Sequence, residues 1–308
     1  METGTLRPYR HSGKFAPSAL IVLPLAAVLL GWPLGFAYGY LIKWIPFVYL
    51  NILITGCYGL ALGLASDWLL RKCHVRNVGM AYLLAFLVGV LANYFQWNGH
   101  VNALFEQAPL VCRPRGIWGA MQFLYEHGSW SVGKYSKGNV TGLMLAGVWL
   151  AEAAGIMVAV VYFGTDSART MPYCEKNRVW LDESKKYDTL AFFDDPAQLA
   201  ALAAGDIVPL IESPRREEGA PSFARLTLRH SPKCDEFFTL MVENVFRSTN
   251  KKGEVEENTK ALTPTSSCPA RCGSWWSALS RIRRLLTRGA PQASRRPHRS
   301  RLWPDGLP

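Results

Sequence analysis

Four long apolar stretches constrain this chain more than any other feature, because each has about the length that a bilayer crossing needs. The last of them, residues 139–163, matches the roughly 20 apolar residues of a transmembrane helix. The other three span residues 18–42, 46–70 and 77–97. The sequence therefore predicts an all-α membrane bundle of four transmembrane helices over residues 18–163, with the lipid bilayer as its first partner.

The rest of the chain is polar, so hydrophobic residues make up 49% of the sequence while the mean hydropathy is only +0.05. Residues 1–17 form a short N-terminal segment. Residues 164–262 show strand and turn signals, which predict a small soluble α+β domain, mostly antiparallel sheet. Residues 263–308 are rich in Arg, Pro and Ser and predict a basic, disordered tail.

Within the soluble part, short patterns predict individual elements. Asp195 followed by Pro196 is typical of a helix start, and Gly205 is typical of its end. Alternating residues predict strands, and Asn250 to Gly253 predicts the hairpin turn before the last of them. The expected strands are 187–193, 206–211, 223–230, 236–248 and 254–262.

Basic residues on the short links predict the orientation in the membrane. The N-terminal segment and the link 71–76 are basic, whereas the link between the first two helices has only Lys43. Because lysine and arginine accumulate on cytoplasmic loops, we expect a multi-pass protein of the cell membrane with both termini in the cytoplasm. The loop 98–138 then lies outside.

Glu152 is the one ionisable residue at the centre of an apolar stretch. A carboxyl group at mid-membrane costs about 2–3 kcal/mol on insertion scales, whereas ten Leu, Ile, Val and Phe residues of the same stretch contribute about −3 to −6 kcal/mol. The helix should therefore insert with its carboxyl group protonated or hydrogen-bonded. The two interpretations are an intramembrane proton or cation site and a structural carboxyl group bonded to a neighbouring polar side chain.

Small residues at four-residue spacing predict close helix packing. They form one row beside Glu152 on the fourth helix, and pairs on the first two helices, which we expect to pack as a tight hairpin. A homo-oligomer through such a face is an alternative. The residues are Gly147, Ala151, Gly155 and Ala159 on the fourth helix, Gly35 and Gly39 on the first, and Gly59 and Gly63 on the second.

The seven cysteines are scattered and do not form the even, closely spaced framework of a secreted disulfide scaffold. Cys174-Glu-Lys-Asn177 and Ser231-Pro-Lys-Cys234 together resemble a zinc-ribbon module that has lost half of its ligands. His230 could join Cys174 and Cys234, which leaves one ligand missing. We therefore weigh a degenerate zinc site against a domain without any cofactor, and the latter is our expectation.

The loop 98–138 carries the only local pattern that invites a catalytic hypothesis. Residues 117–125 could form a short helix in the membrane interface, and Glu126, His127 and Ser131 follow it. These residues match no hydrolase motif such as GxSxG or HExxH. We do not expect an enzyme on these grounds.

Nine Arg and one Asp fall in the tail, so most of the formal net charge of +11 comes from it. A nucleic-acid partner inferred from charge would depend on this tail alone, and we expect none. Residues 278–288 could instead form a basic amphipathic helix on anionic lipid. A shifted reading frame after about codon 263 would also explain the change of composition.

Two classes of function follow from this organisation. The first is a membrane-anchored interaction, scaffold or regulatory protein whose domain 164–262 binds a protein partner. The second is a small oligomeric transporter, coupled to protons or cations through Glu152.

Overall fold

A computed structural model describes residues 7–45, 47–105, 111–128, 139–217, 219–251, 253–263 and 265–269. The chain divides into two compact units. One, the helical unit, is Ser12–Met171. The other, the sheet unit, joins Met1–His11 to Pro172–Pro308.

Four long helices dominate the helical unit, as the apolar stretches predict. They are α1 (Ala19–Trp44), α2 (Val48–Lys72), α3 (Val78–Leu104) and α5 (Gly142–Gly164). All four are long and apolar enough to cross a membrane, by length and composition. The third continues to Leu104 instead of ending at 97, because its last turns carry asparagines that bond within the fold.

Large apolar side chains cover the outside of these helices. Ile21 is 71% exposed, Ile52 65% and Leu150 73%, and each of the four helices has several others like them. Proteins surrounded by water seldom expose apolar patches of such extent. The surface is therefore compatible with a lipid environment.

Glycines bring α1 and α3 into very close contact. A Cβ atom added to Gly99 of α3 would lie 1.9 Å from the carbonyl oxygen of Gly35 on α1. One added to Gly39 would lie 2.3 Å from the carbonyl carbon of Gly99. The predicted close-packing face of α1 is thus used within the chain, against α3.

The corresponding face of α2 contacts α5. Gly59 and Gly63 face Ile156, Ala159 and Val160, with Ala159 at 2.8 Å from a Cβ atom placed on Gly59. The prediction that α1 and α2 pack as a tight hairpin through their glycine pairs is therefore wrong, because the glycine pair of α2 contacts α5 and not α1. The predicted small-residue row of α5 takes part only through Ala159.

The remainder of that row on α5 faces outward. Gly147 and Gly155 have no atom within 4 Å of an added Cβ, and Ala151 between them is exposed.

Two short helices complete the helical unit. In the predicted interface segment, α4 (Pro114–His127) buries Ile117 and Leu124 and exposes Trp118. After α5, α6 (Asp166–Thr170) is held by Asp67 of α2, whose carboxylate accepts from the Ser167 amide at 2.8 Å and its hydroxyl at 2.5 Å. Asp67 therefore ties α6 to α2.

The sheet unit is antiparallel, as predicted. Its strands run in the order β1-β8-β6-β5-β4, with β7 also paired to β6, and a separate hairpin joins β2 to β3. The strands are β1 (Arg7–Pro8), β2 (Tyr173–Cys174), β3 (Val179–Trp180), β4 (Glu183–Leu190), β5 (Ser222–Ser231), β6 (Cys234–Thr249), β7 (Val255–Ala261) and β8 (Ser266–Pro269).

Both ends of the described chain enter this sheet. Arg7 pairs with Ser267 and Pro8 with Ser266, while β8 also pairs with β6. The sheet thus includes residues of the N-terminal segment 1–17 and of the predicted tail 263–308. The predicted disorder and the alternative helix at 278–288 otherwise lie outside the described residues.

Two helices cover one face of the sheet, α7 (Pro196–Ala203) and α8 (Val208–Glu212). The first begins as predicted, with Asp195 accepting from the Ala197 amide at 2.9 Å. The second replaces the strand predicted at 206–211, because Asp206 accepts from the Val208 amide and Pro209 suits a first helical turn. The core between helices and sheet is apolar and includes Phe193, Leu202, Leu210, Leu226 and Val242.

Candidate functional site

The Glu152 side chain lies in a polar contact that joins three helices. Thr55 Oγ1 of α2 lies 3.4 Å from Glu152 Oε1, and the Tyr38 hydroxyl of α1 lies 3.2 Å from Thr55 Oγ1. Tyr38 and Thr55 are buried. Glu152 therefore contacts the Thr55 hydroxyl of α2, and Thr55 in turn links it to Tyr38 of α1.

Counting hydrogens shows how this contact works. Thr55 has a single hydroxyl hydrogen, and its shorter contact is with the backbone oxygen of Asn51 at 2.8 Å. Tyr38 can donate to Thr55. When Thr55 donates to Asn51, it has no hydrogen left for Glu152, and the Thr55 oxygen can then only accept in that longer contact. A carboxyl group that carries its proton can donate across that contact. Within the described part of the chain, no salt bridge involves Glu152.

Two buried acceptor atoms belong to the same region of the bundle. Asn51 Oδ1 and Asn93 Oδ1 have no hydrogen-bond partner among the described residues. Asn93 of α3 donates instead through its nitrogen, to the Gly89 oxygen at 2.9 Å and to the Ala153 oxygen at 3.4 Å. This side chain therefore contacts the backbone of α5 at Ala153, the residue after Glu152.

We call Tyr38, Asn51, Thr55, Asn93 and Glu152 the bundle polar cluster. Its side chains come from α1, α2, α3 and α5 and offer mostly oxygen atoms. Oxygen donors suit a proton or a hard cation better than a soft metal. Sequence reasoning found Glu152 but missed the other four, because isolated polar residues in apolar helices do not show which ones meet.

The proposed zinc ligands are only partly brought together. Cys174 and Cys234 are buried, with their sulfur atoms 3.0 Å apart. His230 lies on β5 opposite Glu183 of β4, and its Nε2 atom is 3.6 Å from a Glu183 oxygen. Burial, with Lys185 nearby, lowers the pKa of His230, while Glu183 and Asp182 oppose that shift.

Zinc would also require a different sulfur spacing. Two thiolates on one tetrahedral Zn²⁺, each about 2.3 Å from it, lie about 3.8 Å apart. Over the described ranges, no group of three or more His, Cys, Asp or Glu side chains is placed to hold a metal ion. The structure therefore joins two cysteines and places the third proposed ligand with a carboxylate.

An arginine cluster on the sheet was not predicted. Three guanidinium groups surround the buried ring of Phe223, at 3.9 Å for Arg216, 4.9 Å for Arg247 and 5.6 Å for Arg225 from the ring centre. These residues come from separate segments, so only the strand pairing brings them together. Arg225 lies on β5 and Arg247 on β6, whereas Arg216 lies in the loop before β5, so no local pattern in the sequence groups them.

Two carboxylates balance most of this positive charge. Arg225 forms a two-point contact with Asp188 at 2.7 and 2.9 Å and reaches Glu257 at 3.0 Å, while Arg247 reaches Glu257 at 2.8 Å. The Arg225 hydrogen bonds lower the pKa of Asp188, and Asp188 in turn raises that of Arg225. The network links β4, β5, β6 and β7.

In the described part of the loop 98–138, the contacts of His127 do not support the catalytic hypothesis. His127 ends α4, stacked on Phe123 at 4.3 Å, and its Nδ1 contacts the Phe123 oxygen at 3.0 Å. Ser131 lies outside the described residues.

Comparisons with family models, with curated proteins and with solved structures found no match for this chain.

Proposed function

We propose that this chain is a multi-pass membrane protein that anchors an interaction domain, the sheet unit, at the cytoplasmic side of the cell membrane. The four long helices and their apolar exterior support the anchor. The basic link 71–76 supports the orientation. The pairing of residues 7–8 with residues 266–267 supports an even number of crossings, since both ends of the helical unit lead into one sheet.

The observation that carries the interaction function is the exposure of β7. All seven of its residues are exposed, and in the described chain it pairs only with β6. Phe246 and Val255, on this β6–β7 ribbon, are 41% and 64% exposed. A strand that is open on both faces and on one edge can accept an extended segment of a partner protein as an additional strand.

Site-specific photo-crosslinking tests this function in cells that make the full-length protein. A benzophenone amino acid at Asn258 of β7 should give an adduct with a partner protein. The same amino acid at Glu212 of α8, which is also exposed, serves as the matched control and should give none. Absence of an adduct at 258, or equal adducts at both positions, would refute partner binding by β7.

Labelling with a membrane-impermeant maleimide tests the orientation independently. Cys112 is exposed and precedes α4, so it should be labelled in intact cells. A cysteine introduced by Glu212→Cys should be labelled only after the cells are opened. Cys234 is unsuitable for this test, because it is buried whichever side the sheet unit faces. The reverse pattern would place the sheet unit outside.

The bundle polar cluster favours a second candidate function, transport of protons or cations. Glu152 contacts the Thr55 hydroxyl, and two other members of the cluster, Asn51 and Asn93, have amide oxygens without a partner among the described residues. Four helices provide little room for a transport pathway through one copy of the chain, so this function requires an oligomer. The outward row of Gly147, Ala151 and Gly155 is where a second copy could approach.

Reconstitution into liposomes with an internal pH-sensitive dye tests transport directly. Wild-type protein should carry protons under an applied gradient, and Glu152→Gln, which keeps the shape and removes the ionisable group, should abolish the flux. A wild-type protein without flux, or an unchanged flux in the variant, would leave Glu152 as a structural carboxyl group.

A further inference from the structure

Cys174 and Cys234 meet inside the sheet unit although 59 residues separate them in the chain. Their sulfur atoms are 3.0 Å apart, and the two residues are 3% and 4% exposed. We infer that these cysteines are a disulfide-forming pair, closed by exchange with a disulfide oxidant. This inference does not depend on the partner proposed for β7.

Local structure brings the two cysteines together. Cys174 ends β2, whose turn back to β3 contains Arg178 in the left-handed backbone region at φ 52°. Cys234 begins β6, directly after the turn from β5. The Asn177 side chain donates to the Lys233 oxygen at 3.4 Å, so the two turns touch beside the sulfur atoms.

The β2–β3 hairpin has a reason to be cross-linked. Each of its strands has two residues, and a two-stranded hairpin is marginally stable in water. Among its contacts with the rest of the sheet unit, Tyr9 accepts from the Tyr173 amide at 2.9 Å. A covalent bond from Cys174 to β6 would fasten the hairpin to the longest strand of the sheet.

The sulfur spacing favours a disulfide over a shared metal ion. A disulfide brings the sulfur atoms to about 2.0 Å, so closure from 3.0 Å requires a movement of about 1 Å, which side-chain rotation can supply. Binding one Zn²⁺ would instead require the sulfurs to separate to about 3.8 Å and to recruit further ligands. The half-lost zinc-ribbon pattern of the sequence thus leaves two cysteines that face each other.

The reaction is an ordinary thiol–disulfide exchange. The thiolate of one cysteine attacks a sulfur of a low-molecular-weight disulfide such as oxidised glutathione, and one glutathione thiolate leaves. The second cysteine then attacks the mixed disulfide and releases the other. Two electrons pass from the cysteine pair to the oxidant, and the two protons go to the released glutathione thiolates.

The burial of Cys174 and Cys234 determines when the oxidant can reach them. Because both thiols are shielded from solvent, the oxidant reaches them only when the β2–β3 hairpin opens or before the sheet unit has folded. Cys112, which is exposed, reacts with the same oxidant but has no cysteine beside it in the described chain. It therefore serves as an internal control for simple glutathione addition.

Mass spectrometry of the full-length protein in detergent tests this inference. The protein is equilibrated with oxidised glutathione, trapped with N-ethylmaleimide and digested. The expected product is a peptide pair linked through Cys174 and Cys234 that separates on reduction, while Cys112 carries a glutathione adduct. Separate adducts on Cys174 and Cys234, or a link from either to a different cysteine, would overturn the inference.

Variants provide the second measurement. Cys174→Ser should abolish the linked peptide and leave a glutathione adduct on Cys234 in its place. Oxidation should raise the apparent melting temperature of the wild type but not of the double variant Cys174→Ser/Cys234→Ser. An equal rise in the double variant would show that the effect comes from other cysteines and would count against the pair.

Discussion

The contact between α1 and α3 allows one substitution to be worked through in detail, Gly99→Ala. The added Cβ would lie 1.9 Å from the Gly35 carbonyl oxygen and 2.8 Å from the Phe36 Cα. Ordinary contact begins at 3.4 Å, so the two backbones must separate by about 1.5 Å at this point. Both obstructing groups are backbone atoms and cannot rotate away as a side chain would.

The cost of that separation can be estimated. Overpacking a well-packed contact typically destabilises by about 1–3 kcal/mol, and a backbone-to-backbone clash belongs at the upper end. If the helical unit lies in lipid, as we propose, no hydrophobic effect holds the helix pair together, and lost van der Waals contact is not recovered elsewhere. We expect Gly99→Ala to lower the free energy of unfolding by about 3 kcal/mol.

The matched control is Gly56→Ala on α2. An added Cβ there meets no atom within 4 Å. Alanine is a better helix former than glycine by about 1 kcal/mol, so this variant should be as stable as the wild type or slightly more stable. The same chemical change at two helix positions should therefore give opposite signs.

Unfolding of the full-length protein by sodium dodecyl sulfate, followed by circular dichroism, measures both variants. The reciprocal variant Gly35→Ala, whose Cβ would lie 2.4 Å from the Phe95 oxygen, should behave like Gly99→Ala. The double variant should cost less than the sum, since helices already separated accommodate the second methyl group. Equal midpoints for Gly99→Ala and Gly56→Ala would refute the close crossing of α1 and α3.

Three further predictions follow from other contacts. Asp67→Ala leaves the start of α6 without its acceptor and should cost about 1–3 kcal/mol in the same detergent titration. Asp188, whose pKa Arg225 holds below its usual value, stabilises the sheet unit above about pH 4 and loses that contribution as the pH falls through the lowered pKa. Acid unfolding followed by circular dichroism should therefore depend less on pH in Asp188→Asn than in the wild type. If the sheet unit faces the cytoplasm, acid-quenched cells should contain Cys174 and Cys234 as thiols, because cytosolic glutathione keeps them reduced; mass spectrometry that found the disulfide there would place the unit in an oxidising compartment.

The helices could be predicted from the sequence because their signal is local. Length and hydropathy are properties of a single stretch, so four apolar runs give four helices, whose ends shift by one to three residues except at the end of α3, which lies seven residues further on. Helix pairing is not local in this sense. The pair Gly59 and Gly63 predicts that another helix approaches the backbone of α2 closely, but any of the other long helices would satisfy that pattern. In the structure the partner is α5.

The same difference between local and non-local signals explains which parts of the sheet unit could be predicted. Residues 206–211 form a short apolar run, which periodicity cannot assign to a strand or a helix, and the Asp206 side chain decides in favour of α8. The arginine cluster and the bundle polar cluster each draw on separate elements. Their members are ordinary single residues in the sequence, and only the packing shows which ones share a site.

The pairing of Arg7 with Ser267 has a consequence for how the protein is made. These strands are separated by the whole helical unit, so β1 can join β8 only after the last long helix has been synthesised. Contacts between such distant residues form late, because the intervening chain must first be ordered. A fragment limited to residues 164–262 lacks both β1 and β8 and exposes the edge of β6 along residues 237–240, to which β8 pairs. Partner binding by the sheet unit therefore has to be measured on the full-length chain, since an open β6 edge would itself attract extended segments that β7 does not select.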